Sequence, residues 1–241
     1  MREDLAAIDL EHDVERRNLL LDQPPFVDTP RALEHATGMT CRLARGVASK
    51  DQLVVRAKEI APVHVTLRAR AGLPPLRHAG LFVEIRNAIR RANRSPTVGE
   101  AFRVVEFSIQ NDHAHFIIEA HDKDALSRGL RGLAIRLARA INRGIGIRGS
   151  VWGDRYHARD LKTPRAVRNA IVYVLMNAKK HGLRVASGID AFSSAPWFEG
   201  FATRIELAPD APVRAPRTWL ATTGWRRRGL ITFDEKPRVP D

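Results

Sequence analysis

Cysteine is almost absent from this chain, whose 241 residues include a single one, Cys41. That scarcity excludes a disulfide framework and a zinc site built from cysteine thiolates. No apolar run approaches the ~20 residues that a membrane-spanning helix requires. The charged residues directly after Met1 do not resemble a signal peptide. We therefore expect a cytoplasmic protein with no membrane segment.

Lysine is scarce as well, while arginine is abundant. Of the 40 basic residues 7 are lysines, so 33 are arginines, and the formal net charge is +13. Arginine can bind phosphate through two parallel hydrogen bonds and stays charged at physiological pH. The excess favours a polyanionic partner, usually nucleic acid, and a nucleoid-associated location. The alternative is an arginine-rich codon usage with no functional meaning.

Regular apolar patterns begin at Val63 and continue to about residue 182. Apolar residues alternate in the strands and recur every three or four positions in the helices. The predicted elements are a strand at 63–70, a helix at 78–94, strands at 102–110 and 113–120, a helix at 123–143, an extended segment at 151–161 and a helix from Thr163 to about His181. This order indicates an α+β fold with a central antiparallel sheet and helices packed on it.

The helix at 123–143 has a basic face opposite its leucine stripe. At 3.6 residues per turn, five arginines fall within an arc of roughly 140°. They are Arg128, Arg131, Arg136, Arg139 and Arg143. A solvated face is the simpler interpretation, but no acidic residue is interleaved with them. We favour a face that contacts DNA phosphates.

Two histidines, His113 and His115, lie on a predicted strand. Residues two apart on a strand point to the same side, so both imidazoles face one way while Ala114, Phe116 and Ile118 face the core. Two adjacent neutral imidazoles are good ligands for a divalent metal ion. Such a site requires that the pair does not lie on a buried face covered by a helix. The alternative is two surface histidines without a ligand.

Tyr173 and Asn177 are four residues apart on the last predicted helix, and are therefore neighbours on its surface. Tyr173 lies off the apolar stripe of that helix, and Asn177 lies at its edge. The alternative to a functional tyrosine is a ring that covers the margin of the stripe, with its hydroxyl in water. A phenolate can attack a phosphodiester if a metal ion polarises the phosphate, and the Asn177 amide oxygen can supply a third ligand.

Other aromatic and basic residues give a weaker signal. Four residues in one stretch could stack on bases or hold phosphates: Trp152, Arg155, Tyr156 and His157. A packed strand with Trp152 in the core is an equally good interpretation. His64 fits a strand position near the sheet centre better than a ligand. Trp225 and the three arginines that follow it are either a DNA-contacting tail or a solvated terminus.

Four stretches of the chain resemble the REP-associated tyrosine transposases, which belong to the HUH (His-hydrophobic-His) single-strand nucleases. The resemblance covers about residues 62–182. It rests on PVHVTLR at 62–68, NDHAHFIIE at 111–119, GSVWGDRYH at 149–157 and YVLMN at 173–177. Each stretch is modestly specific, but their order and spacing together are quite specific.

This resemblance implies a role for each candidate. His113 and His115 match the metal ligands of the family, Asn177 matches the polar residue that completes the metal site, and Tyr173 matches the nucleophile. It also implies a ferredoxin-like or RRM-like sheet, Mg²⁺ or Mn²⁺ as cofactor, and single-stranded or hairpin DNA as partner. Members cut single-stranded DNA near small hairpins and leave a 5′-phosphotyrosine and a free 3′-OH. Asp112 and the Ala-Lys-Lys-His-Gly run after Asn177 depart from the family pattern, which leaves the preferred DNA sequence open.

On this basis we expect three parts: an N-terminal extension at 1–60, an HUH transposase domain at 61–183 and a partly irregular C-terminal extension at 184–241. The main hypothesis is a metal-dependent enzyme that nicks and transfers DNA strands, as a monomer or a homodimer. One alternative is a domesticated DNA or RNA hairpin binder that no longer cuts. Another is a metallohydrolase with water as nucleophile, for which Glu119 is the nearest additional carboxylate.

Overall fold

The computed structural model describes residues 61–95, 99–180 and 188–236. The strands in these ranges are β1 (Val63–Arg68), β2 (Phe102–Ile109), β3 (His113–Ala120) and β4 (His157–Asp160). The helices are α1 (Ala79–Asn93), α2 (Lys123–Ile145), α3 (Pro164–Leu175) and the short α4 (Asn177–Lys180) and α5 (Trp219–Thr222). Short 3₁₀ helices lie at Gly99–Ala101, Ala195–Trp197 and Gly224–Arg228.

The four strands form one sheet in the order β2-β3-β1-β4, and every pairing is antiparallel. In the register of β1 with β3, Thr66 lies opposite His115. On its other side β1 pairs with β4, and there Thr66 lies opposite His157. The prediction of an α+β fold with a central antiparallel sheet and packed helices is confirmed.

One face of the sheet packs against α1 and α2. Its buried side chains from β3 are Ala114, Phe116 and Ile118, as the strand pattern predicts. Their apolar partners on α2 include Leu130, Leu133 and Leu137. Helix α2 approaches β2 very closely at Gly129, where an added Cβ would lie 2.1 Å from the Phe102 ring.

Helices α2 and α3 both begin at side-chain caps. The Asp122 carboxylate accepts a hydrogen bond from the Ala125 amide at 2.6 Å and begins α2. The Thr163 hydroxyl accepts from the Ala166 amide at 3.1 Å and begins α3, with Pro164 in its first turn. Gly146, with φ of 70°, ends α2 in the left-handed conformation.

The second face of the sheet packs against α3 and against residues beyond 188. Val167 and Val174 of α3 share a core with Trp225 and Ile231, so described residues of the predicted C-terminal extension pack with the sheet domain. Residues 192–194 also run along the outer edge of β2, where the Ile109 amide donates to the Phe192 carbonyl at 2.8 Å. This contact covers an edge strand that would otherwise expose unpaired backbone groups.

Two predicted elements differ from the structure. The helix that begins after Thr163 ends at Leu175, and α4 starts at Asn177 after an interruption at Met176. The chain tightens there, because the Lys179 amide donates back to the Met176 carbonyl. The extended segment at 151–161 is a strand only in β4, which pairs with Val63–Thr66 of β1, and Trp152 forms an isolated bridge with Ala69.

The predicted helix end near His181 and the predicted extension at 1–60 lie outside the described residues. Within the described ranges, no helix has both the length and the apolar composition to cross a membrane.

Candidate active site

The histidine pair lies on β3, at the end of the strand that begins with His113. The ring centroids of His113 and His115 are 4.7 Å apart. Nδ1 of His115 is hydrogen-bonded to the Thr66 hydroxyl at 3.0 Å, and Nδ1 of His113 lies 2.7 Å from a carboxylate oxygen of Asp112. An oxygen partner at Nδ1 orients an imidazole so that Nε2 is the nitrogen available to a metal ion.

The face of the sheet that carries the pair is covered by α3. His115 is 4% exposed, whereas 14% of the His113 side chain is exposed. The expectation that the pair avoids a buried, helix-covered face is therefore wrong for His115, and a metal ion could reach the pair only from the His113 end. The reason is that the covering helix is the one that carries Tyr173. Solvent reaches the pair from the His113 end.

Tyr173 packs its ring against the histidines. Its ring centroid lies 5.1 Å from that of His115 and 5.7 Å from that of His64, with nearly perpendicular planes in both cases. The sequence pattern puts Tyr173 off the apolar stripe of this helix, yet the residue is buried, with only 9% of its surface exposed. Residues beyond 188 cover the side of α3 that faces away from the sheet, so the helix is buried around most of its circumference.

Asn177 begins α4 and is completely buried. Neither atom of its side-chain amide has a hydrogen-bond partner among the described residues. An unpartnered buried amide is costly, so the Asn177 side chain is chemically suited to a ligand or a water molecule as its hydrogen-bond partner. The predicted single helix is interrupted at Met176, so Asn177 begins α4 and Tyr173 lies near the end of α3.

His64, predicted from the sequence to be a sheet residue, also lies on this face. Its ring centroid lies 5.3 Å from that of His115, and its Nε2 atom is buried without a partner among the described residues. Burial, together with the positive charges of Arg159 and His157, lowers the pKa of His64 to about 4, so its ring is neutral at physiological pH. The register of β1 against β3 places it here, and separate strand patterns do not give that register.

The imidazole nitrogens of His113 and His115 and the amide oxygen of Asn177 are atom types that bind divalent cations. Two imidazoles with engaged Nδ1 atoms suit Mn²⁺ and similar transition ions, whereas Mg²⁺ prefers the oxygen of an amide or of water. No group of three or more histidine, cysteine, aspartate or glutamate side chains in the described ranges is arranged to hold a metal ion. A metal ion on His113 and His115 would therefore need oxygen ligands from outside this set of side chains, such as an amide oxygen or water.

The arginine face of α2 lies on the other side of the sheet from the histidines, because α2 packs on the opposite face. Four of its arginines are exposed, namely Arg128, Arg131, Arg139 and Arg143. Arg136 is half-buried and donates to the Ser95 hydroxyl at 3.1 Å. Arg143 forms an ion pair with Glu84 at 3.6 Å. The structure does not bring these arginines together with Tyr173.

Other basic residues share the face of the histidines. Cross-strand neighbours point to the same side of a sheet, and the register pairs Arg68 with His113, and Arg159 with His64. These two arginines could not be singled out from the sequence, because only the strand register reveals them. His157, opposite Thr66, is on this face as well.

Of the candidate DNA contacts in the loop before β4, two are exposed and one is packed against the core. Arg155 and Tyr156 are exposed there, as a DNA contact requires. Trp152 instead packs on the first core, and its indole N–H donates to the Ala134 carbonyl at 3.0 Å. Trp152 is half-buried at the margin of that core, which favours a packing role over stacking on a base.

The Glu119 carboxylate is engaged in hydrogen bonds to Arg217 and Thr218. One of its carboxylate oxygens accepts from the Thr218 amide at 2.9 Å and from the Thr218 hydroxyl at 2.7 Å, and the other accepts from the Arg217 amide at 2.7 Å. These bonds occupy both oxygens, so Glu119 is not available as the additional ligand that a metallohydrolase would need.

Comparison with known proteins identifies the class. Residues 73–174 match the model of the family described as "Transposase IS200 like". The matched residues include His113, His115 and Tyr173 and stop before Asn177. The family resemblance found in the sequence is thereby confirmed.

Among solved structures, one described as "Structure of the REP associates tyrosine transposase bound to a REP hairpin" is similar to this chain. The sequence identity is 17% and the TM-score is 0.45, and the match covers 64% of this chain and 82% of that chain. The comparison with curated proteins found no match.

Proposed function

We propose that this chain cuts and rejoins single-stranded DNA through Tyr173. The observation that carries the proposal is the packing of the Tyr173 ring against His115, the more buried of the two histidines. Thr66 orients the His115 ring, and Asp112 orients the His113 ring. A protein that only binds DNA needs neither a tyrosine at this place nor imidazoles oriented through Nδ1. The match of residues 73–174 to the IS200-like transposase family agrees with a DNA-processing reaction.

The reacting atom of Tyr173 is its phenol oxygen. A bond forms between this oxygen and the phosphorus of the scissile phosphate, and the bond from phosphorus to the 3′ oxygen breaks. The phenol loses its proton and the leaving 3′ oxygen gains one, so the products are a 5′-phosphotyrosine link and a free 3′ hydroxyl. Because one ester replaces another, the 3′ hydroxyl of a strand can reverse the step and rejoin the DNA.

The protein residues around Tyr173 prepare this step. His113, His115 and Asn177 are the side chains that would hold Mg²⁺ or Mn²⁺, which when bound polarises a phosphate and favours loss of a phenol proton whose ordinary pKa is about 10. Thr66 and Asp112 fix the two imidazole rings. The cover of α3 limits water at the inner end of the site.

The proposed substrate is single-stranded DNA next to a hairpin. Arg68 and Arg159 lie on the face of the histidines and can hold phosphates of the strand that is cut. Arg155 and Tyr156 are exposed beside β4 and can contact the same strand. The α2 arginines would bind DNA at a distance from the cut, on the other side of the sheet.

A covalent-adduct assay tests the proposal. With a labelled hairpin substrate and Mn²⁺, we expect the full chain to give a protein–DNA band on a denaturing gel. Tyr173→Phe should abolish the band and leave binding unchanged, because phenylalanine keeps the ring and removes only the attacking oxygen. Tyr156→Phe is the matched control and should keep the band.

The other outcomes identify the alternatives. A band that persists in Tyr173→Phe and disappears in Tyr156→Phe would show that the nucleophile is the other tyrosine. Tight hairpin binding by the unaltered chain without any cut product would indicate the domesticated binder. Cut DNA without a covalent band would indicate water as the nucleophile.

A further inference from the structure

The C-terminal patch, which we define as Trp219, Arg226, Arg227 and Arg228, lies outside the transposase domain and takes no part in the proposed cut. Trp219 begins α5 and is 40% exposed, which is unusual for a large aromatic residue. The three arginines end the 3₁₀ helix at Gly224–Arg228, and all of them are exposed.

The fold holds the patch in place. Trp225, between Trp219 and the arginines, is 1% exposed and packs in the core that contains α3, with its indole N–H donating to the Ala221 carbonyl at 3.0 Å. Gly224 lies directly on the Trp219 ring, since an added Cβ would come within 2.8 Å of it. The Gly224 backbone therefore packs against the exposed indole of Trp219 and holds it in position.

The charge of the patch is not compensated. None of its three arginines forms an ion pair with a carboxylate in the part of the chain that the structure describes. By contrast, Arg217 pairs with Glu100, and Arg168 pairs with Glu235 at 2.7 Å. The Arg227 guanidinium lies 4.8 Å from the Trp219 ring centroid, so charge and aromatic surface are presented together.

We propose that the C-terminal patch binds a single-stranded stretch of nucleic acid, with a base stacked on Trp219 and phosphates on the arginines. An exposed indole beside guanidinium groups without carboxylate partners matches the alternation of flat bases and phosphates in an unpaired strand. An acidic peptide would use the arginines but not the flat ring, and a duplex keeps its base faces covered. The assignment of this strand to DNA flanking the cut rests on the proposed function.

Binding without a metal ion tests the patch separately from the cut. The probe is a labelled single-stranded oligonucleotide of mixed sequence, measured by fluorescence anisotropy with the full chain in EDTA. We expect Trp219→Ala to weaken binding by about fivefold or more, which corresponds to the loss of one stacked base. Arg226→Gln together with Arg228→Gln should lower the slope of log affinity against log salt by about 1.4, at about 0.7 for each phosphate that is no longer neutralised.

Matched controls come from the same part of the chain. Arg204→Gln and Leu207→Ala alter an exposed arginine and an exposed apolar residue outside the patch, and both should bind the oligonucleotide like the unaltered chain. Trp219→Ala should leave binding of a blunt duplex of the same sequence unchanged. The arginine pair changes only surface residues, so its result stands even if Trp219→Ala fails to fold.

The proposal is overturned if the salt slope and the affinity of the arginine pair equal those of the unaltered chain. It is also overturned if polyglutamate displaces the oligonucleotide as well as unlabelled DNA of equal charge does, because the patch would then be a general anion site. A chain that forms no covalent adduct but shows the expected patch effects would refute the cut and leave the patch standing.

Discussion

At the scale of single residues, Asp112 contacts one of the two candidate metal-binding histidines. The hydrogen bond that His113 Nδ1 donates to its carboxylate holds the pKa of Asp112 below its usual range. Arg68 lies 3.4 Å from the other carboxylate oxygen. Asp112 thus orients His113 in the proposed metal site, and its effect there can be separated from that of Arg68.

We predict that Asp112→Ala weakens Mn²⁺ binding by about 10–100-fold, the usual effect of removing the hydrogen-bond partner of a metal-binding histidine. Asp112→Asn keeps an acceptor oxygen and should lose less affinity. Arg68→Gln, which removes the other neighbour of Asp112, is the control and should bind Mn²⁺ normally. Calorimetric titration of the full chain measures all three, and equal affinities would contradict the assigned role of Asp112.

Glu106 is a second residue whose environment makes a measurable prediction. It lies on β2 and is almost fully buried, and the Ser194 hydroxyl donates a hydrogen bond to its carboxyl group at 2.5 Å. Burial raises the pKa of Glu106 from 4.5 to about 8. Between these two values the folded protein holds the proton and the unfolded chain has released it, so folding stability falls as the pH rises through this window.

We predict that Glu106→Gln flattens this pH dependence, because an amide has no proton to lose and keeps an oxygen for the Ser194 hydroxyl. The midpoint of urea unfolding should fall between about pH 5 and about pH 8 in the unaltered chain, and should fall less in Glu106→Gln. Glu84→Gln, at a partly exposed glutamate, is the control and should behave like the unaltered chain. Parallel pH profiles for all three proteins would contradict the prediction.

At the scale of elements, the contact of α2 with β2 depends on one glycine. An added Cβ at Gly129 would lie 2.1 Å from the Phe102 ring, which is itself 2% exposed and has no room to move. Three residues later, an added Cβ at Gly132 meets only the far end of the Arg136 side chain, at 2.9 Å. The two glycines lie on the same helix and face different neighbours.

We predict opposite effects of alanine at these two positions. Gly129→Ala should lower the free energy of unfolding by about 1–3 kcal/mol, because the helix or the ring must shift. Gly132→Ala should raise it by about 0.5–1 kcal/mol, because alanine restricts the unfolded chain and Arg136 can move aside. Urea unfolding measures both, and a stable Gly129→Ala protein would show that α2 does not pack as closely as described.

The elements themselves could be predicted from sequence because each carries its own periodicity. The caps at Thr163 and Gly146 and the buried leucines of α2 are local signals of this kind. The register of the sheet could not be predicted, because it depends on pairing between distant strands, and the places of His64 and Arg159 at the site depend on that register. The interruption at Met176 could not be predicted either, since no proline or glycine marks it.

At the scale of the whole molecule, the sheet separates two basic surfaces. Arg68 and Arg159 share the face of the histidines, whereas the α2 arginines lie beyond the first core, on the opposite side. A DNA strand that reaches from the candidate active site to α2 must therefore pass around the sheet. A short DNA strand bound at the active site cannot contact the α2 arginines. The two surfaces should consequently differ in the DNA length at which they contribute to binding.

We predict that Arg128→Gln together with Arg139→Gln weakens binding of a long hairpin substrate and lowers its salt slope, by about 0.9 for each phosphate that is no longer neutralised on duplex DNA and about 0.7 on single strands. Both arginines are exposed and have no ion pair among the described residues, so the change removes charge without disturbing packing. Binding of a short oligonucleotide that spans only the site should be unaffected. At saturating DNA the rate of covalent adduct formation should also be unaffected, because Tyr173 is on the other face.

Arg159→Gln is the opposite control: it should weaken binding of the short and the long DNA alike. An unchanged salt slope for the α2 pair on the long substrate would show that this face is only solvated, and a slower adduct rate at saturation would show that the two faces act on the same stretch of DNA.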